Sequence, residues 1–338
     1  MAKNGAKSEV IALVGSETLL GREVREVFGQ TELGEYLRLV AGAEEETGTL
    51  TNIGGSAAFL AKLDPDALED AAVVILAGTA ETSKTTIEAR PRGLIVDLTY
   101  VTEDDPEARV RAPMVESEEF RPDHSGPQVV AHPAAIAVGA ILKRLHETWP
   151  IERAIVHIFE PASERGSAGI DELQQQTVGL LSFKPLTKTL FDAQVSFAML
   201  ARLGSEAPLA LEVIEERIER HLASLLERLD GVPMPSLRLI QAPVFHGYSF
   251  SLWVEFWSES QSGPGASEIE EAMNQSPFDI RTSDLEPPNN VGMAGQSGIA
   301  IGAVTPDRNS GNAFWIWAAA DNLRLSAENA AKIAAEVI

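Results

Sequence analysis

The sequence predicts an α/β protein, with a doubly wound parallel sheet in its N-terminal part and a mixed sheet covered by helices after it. Three observations carry this reading. An apolar run enters a glycine turn and then an amphipathic helix; short apolar strands alternate with helices up to residue 128; beyond that point, strands of period two alternate with long helices.

The elements follow in order. Residues 9–14 are an apolar strand entering Gly15, and residues 21–28 carry Val24, Val27 and Phe28 at helical spacing. A second strand is expected at 36–40. A buried strand at 72–76 ends in Ala77-Gly78-Thr79, a short helix covers 84–89, and a further strand covers 93–97. Strands alternating with helices in this way imply a parallel sheet of the Rossmann-like, dinucleotide-binding kind. A short strand at 129–131 runs into His132-Pro133, followed by a helix at 134–145.

Strands are then expected at 154–159, 236–244 and 248–256, and long helices at 170–181 and 209–229. Residues 258–267, rich in Ser, Gly and Pro, and the cluster Glu286 to Asn290 read as loops. A Trp315-Ile316-Trp317 strand leads into a helix with Ala327, Ala330, Ala331, Ile333, Ala334 and Val337 on one side. The expected domains are 1–128, dinucleotide-binding; 129–312, an α/β domain of catalytic and dimerising type; and 313–338, a strand and helix packing back on the first domain.

Composition narrows the function. The charge of −23, from 27 basic and 50 acidic residues, opposes nucleic acid and anionic lipid. No apolar run approaches the roughly 18 to 20 residues that span a bilayer, and residues 1–8 lack the apolar stretch of a signal peptide, so the cytoplasm is the expected compartment. The chain has no cysteine, which rules out disulfides, thiolate metal sites and a cysteine nucleophile. Its six histidines show no metal-site spacing, and no Gly-x-Ser-x-Gly elbow supports hydrolase chemistry.

The turn Gly15-Ser16-Glu17-Thr18-Leu19-Leu20-Gly21, with Gly78 after the later strand, has the spacing of a phosphate-cradling loop for NAD or NADP. Its middle glycine position is Thr18, whose Cβ stands where the backbone would pass closest to the phosphates. Past the second strand, Glu44-Glu45-Glu46 would repel the 2′-phosphate of NADP; it reads either as a solvated loop or as a preference for NAD.

Residues 15–24, Ala77-Gly78, Val96-Asp97, 166–173 (GSAGIDEL), 242–245 (APVF) and 320–324 (ADNLR), in that order, resemble aspartate-β-semialdehyde dehydrogenase. The runs 191–200 (FDAQVSFAML) and 243–247 (PVFHG) are most similar to the dehydrogenase-like paralogs that many bacteria carry beside the enzyme. The resemblance implies a Rossmann domain plus a dimerising α/β domain, and a homodimer or a pairing with an active paralogous subunit. It also implies NADP-dependent oxidation of an aldehyde: a cysteine thiolate attacks, a histidine moves the proton, hydride passes to the nicotinamide, and phosphate cleaves the thioester.

Carried onto this sequence, the resemblance places the nucleophile at Ala135 and the histidine at Tyr248. The family's glutamine falls at Glu160, its anion-holding arginine near Glu103, and its asparagine at Glu116. Five departures together point to a non-catalytic relative acting by ligand or partner binding. The alternative is an NAD(P)-dependent oxidoreductase without thiol chemistry, with His246 as substitute base, since residues two apart on a strand share a face. A third reading gives the acidic loops, including residues 103–105, a cationic ligand.

Overall fold

The computed structural model describes residues 9–42, 45, 47–257, 263–282 and 285–338. Glu44, Glu46, the N-terminal lead and residues 258–262 of the Ser/Gly/Pro-rich stretch lie outside the described residues. Two compact units are present, one of residues up to 113 with 117–131 and 326–338, the other of 114–116 and 132–325.

The first unit contains β1 (Val10–Val14), α1 (Leu19–Gly29), β2 (Leu37–Val40), β3 (Leu50–Ile53), β4 (Ser56–Phe59), α2 (Pro65–Leu68), β5 (Ala71–Leu76), α3 (Ala80–Glu88), β6 (Leu94–Asp97), β7 (Arg109–Arg111) and β8 (Gln128–Val130). Its sheet is wholly parallel, in the order β2-β1-β5-β6-β8-β7. Ile11 to Val14 and Val73 to Leu76 are fully buried, which is why these strands read as unbroken apolar runs and not as alternating ones. Because β1 lies between β2 and β5, the strand order reverses at β1, and the crevice where such sheets bind ligands opens at its carboxyl end.

The hairpin β3–β4 was not expected; its short strands hold no fully buried residue and carry little apolar signal. Arg111, 1% exposed, anchors the chain's last residues to this unit. Its guanidinium pairs with Glu336 at 2.8 Å, donates to Gln128 at 3.0 Å and lies over the Phe120 ring.

The second unit contains α4 (Pro133–Thr148), β9 (Ile151–Glu160), α5 (Gly166–Leu181), α6 (Leu211–Leu226), β10 (Ser236–Gln241), β11 (Tyr248–Phe256), α7 (Ala266–Met273), β12 (Phe278–Arg281), β13 (Ile299–Pro306) and β14 (Ala313–Ala320), and α8 (Asn322–Ala335) starts in it. The sheet order β10-β9-β11-β14-β13-β12 is mixed, with parallel pairs at both ends and antiparallel pairs between. Along β11 every second residue from Tyr248 to Phe256 is buried. On the opposite face Ile155, Trp253 and Trp315 stand in one row across β9, β11 and β14, with Ile155 42% and Trp315 38% exposed.

Three expectations are corrected here. The Trp315–Trp317 strand belongs to the second sheet, where β14 is hydrogen-bonded on both sides, to β11 and β13, and residues from 326 onward belong to the first unit. The strand from Ser236 ends at Gln241, because Pro243 cannot donate to a ladder. The expected loop 258–267 gives way to helix α7 at Ala266. Among the described residues no helix is long and apolar enough to cross a membrane.

Candidate functional site

Two groups of residues stand out, one in each unit. In the first unit the β1–α1 turn is shaped by glycines. Gly15 has φ +79°, and a Cβ on it would lie 2.2 Å from the Gly78 Cα; one on Gly21 would lie 2.1 Å from the Gly15 carbonyl. Thr18 is the N-cap of α1, its hydroxyl accepting from Gly21 N–H at 2.9 Å and donating to Ala77 O at 2.7 Å. Leu19 opens the helix, and Ser16 is buried with its hydroxyl unpartnered.

Acidic side chains surround this turn. The Glu45 carboxylate accepts from Glu17 N–H at 3.1 Å and from Gly42 N–H at 2.8 Å. Glu17 in turn pairs with Arg25 and approaches Arg22 at 3.5 Å. The glycines suit a close backbone approach, while the Glu17 N–H is taken by the Glu45 carboxylate.

In the second unit Ala135 lies in the first turn of α4 and is fully buried. A helix N-terminus favours a thiolate there; this chain presents a methyl group. His132 caps the helix, its Nδ1 accepting from Ala134 N–H at 3.3 Å, so Nε2 carries the proton donated to Glu164 at 3.2 Å, an assignment inferred from the partners. Tyr248, fully buried, stacks on Phe250 and meets the His132 ring edge-on at 6.1 Å.

A polar chain extends from these groups. Glu164 accepts from Asn322 Nδ2 at 3.1 Å, Asn322 Oδ1 lies 3.2 Å from Ser163 Oγ, and Ser163 Oγ lies 3.0 Å from His246 Nδ1. His246 Nε2 meets Asp321 at 2.7 Å, and Asp321 also accepts the N–H groups of Gly295, Leu323 and Arg324. By residue type this is a Ser-His-Asp relay, yet Ser163 is only 1% exposed and both His246 nitrogens are engaged within the protein.

Glu160, at the end of β9 and fully buried, pairs with Arg165, whose guanidinium also donates to Gln241 at 2.9 Å. Burial pushes the Glu160 carboxyl above its ordinary range, and the Arg165 charge offsets this only in part. Burial acts in the same sense on Glu164 and Asp321. There the interaction with His132, and the His246 hydrogen bond respectively, outweigh it and hold both carboxyls below the ordinary value.

Ala135, Tyr248, Glu160 and His246 thus all belong to the second unit, as does Glu116, whose carboxylate lies 3.9 Å from Arg228. Glu103 belongs to the first unit, in the turn after β6. Sequence reasoning missed Ser163, Glu164, Arg165, Gln241 and Asp321 as site residues. Their signal was a polar residue at or just past the end of an apolar strand, seen at Glu160, Gln241 and Asp321.

Residues 142–325 match a family model described as semialdehyde dehydrogenase, dimerisation domain. The sequence is 24% identical to an aspartate-semialdehyde dehydrogenase of Rickettsia bellii, over 97% of this chain and 97% of that one. It is 28% identical to a USG-1 protein homolog of Pseudomonas aeruginosa, over 72% of this chain and 73% of the relative. A solved structure of a probable aspartate-semialdehyde dehydrogenase from Pseudomonas aeruginosa superposes with a TM-score of 0.81 at 23% identity, covering 96% of this chain and 97% of the other. With more than half its length matched by that model, the chain belongs to the semialdehyde dehydrogenase family.

Proposed function

We propose that this chain is a non-catalytic member of the family, a cytoplasmic homodimer that acts by binding and not by turnover. The observation that carries the reading is Ala135: the position expected to hold the attacking thiol is a buried methyl group in the first turn of α4. The hydroxyl of Ser163 does not stand in for it, being buried and shared with Asn322 and His246. Glu160 adds a buried carboxylate where the family resemblance implies a neutral amide, and Tyr248 is packed among core rings instead of serving as a base at neutral pH.

The rival reading, hydride transfer with His246 as base and no thiol, asks that ring to accept a proton from a substrate. Both of its nitrogens are committed to Ser163 and Asp321. The homodimer is supported by the description of the matched family model and by the apolar row Ile155, Trp253 and Trp315 on the open face of the second sheet.

The test is phosphate-dependent reduction of NAD or NADP with aspartate semialdehyde. The wild-type chain and Ala135→Cys are both expected to show none, since the substituted thiol would still lack a base at Tyr248. Measurable phosphate-dependent turnover by the wild-type chain would overturn the reading.

A further inference from the structure

We infer that Glu45 is a built-in anion, closing the phosphate turn of the first unit so that the folded chain excludes the pyrophosphate of a dinucleotide. The turn lies at the carboxyl end of β1, where the strand order reverses and a helix N-terminus points its N–H groups at the crevice. A bound pyrophosphate needs several of those N–H groups free. Here Gly21 N–H goes to the Thr18 hydroxyl, Thr18 N–H to the Gly15 carbonyl at 3.2 Å, and Glu17 N–H to Glu45.

Glu45 is not an ordinary helix cap. Thr18 already caps α1, and Glu45 reaches the turn from 28 residues further along the chain, bridging the turns after β1 and after β2 through Glu17 N–H and Gly42 N–H. A carboxylate is the right ion for a positive helix end, so the contact stabilises the closed form. It also sets a negative charge against the turn that an incoming phosphate would approach, whereas the Glu17 carboxylate is already paired with Arg25. The closed form leaves the Ser16 hydroxyl buried without a partner, the kind of cost that opening would relieve.

The inference concerns the first unit alone and is independent of Ala135. Removing the Glu45 carboxylate should therefore admit ligands that the wild-type chain rejects, with no bearing on turnover. Titration calorimetry with NADH, NADPH and ADP-ribose on the full chain is the measurement, with adenosine as the control that lacks phosphate. Glu45→Ala is expected to bind the phosphate-bearing ligands roughly tenfold or more tighter than wild type, as losing a competing charge-assisted contact implies, with adenosine unchanged. Glu45→Gln should fall between.

Equal affinity of wild type and Glu45→Ala overturns the inference. So does absence of binding in both, or a Glu45→Gln chain that binds more weakly than wild type, which would make Glu45 a ligand for the ribose. A second readout needs no ligand: amide hydrogen exchange at Glu17 and Gly42 should be faster in Glu45→Ala, and unchanged exchange would also count against the inference. Any of these failures leaves the loss-of-nucleophile reading standing, because none of them measures turnover.

Discussion

Asp321 shows how single side chains set the pH response of the second unit. Its carboxyl, like that of Glu164, is held below the ordinary range in the folded chain. In the unfolded chain both return to about 4. The folded state therefore gains stability from them above about pH 4 and loses it as the pH falls through their lower folded values. Glu160 has the opposite sign: raised by burial, it holds its proton better when folded, so its contribution weakens as the pH rises above about 4. Asp321→Asn should flatten the acid-side fall of the urea midpoint, and an unchanged slope would refute that assignment. Ala135, Tyr248 and Glu160 were assigned through the family resemblance, and the structure places all three in the second unit. The Arg165 pairing with Glu160, and the return of Glu45 to the turn, were not legible in the sequence. The first depends on the local fold of the turn after β9, and the second on a contact across 28 residues that no local spacing encodes.

Among the elements, the β1–α1 turn was the most readable, since an apolar strand, two glycines and a cap residue all point to one conformation. The structure separates the roles of its residues. Thr18, expected to place a Cβ against an incoming phosphate, also caps the helix. Thr18→Ala should cost about 1 kcal/mol in thermal or denaturant unfolding, the loss of one N-cap. Gly21→Ala should cost more, about 1–3 kcal/mol, because its Cβ would meet the Gly15 carbonyl and backbone would have to shift. The reverse ranking would show that the turn relaxes around Gly21. Strand β14 was misplaced for a different reason. Its period marked it as a strand, but the partners that decide its sheet, β11 and β13, are chosen by tertiary pairing and not by the pattern of β14 itself.

For the whole molecule, the open sheet face and the net charge pull in opposite directions. Ile155, Trp253 and Trp315 offer apolar area to a second copy, while each copy carries a charge of −23. Repulsion between like-charged copies is screened by salt. The proposed homodimer should thus tighten as ionic strength rises, and Trp315→Glu should shift sedimentation toward monomer; a dimer weakened by salt would point to an interface built on ion pairs instead.

The anchoring of Glu336 to Arg111 has a consequence in time. Residues 326–338 complete the first unit, yet they are made only after the entire second unit. A ribosome releasing this chain from its N-terminus delivers a first unit that waits, with a guanidinium destined for burial still lacking its carboxylate, until synthesis reaches residue 336. The second unit, continuous but for three residues, is under no such delay and is free to fold first.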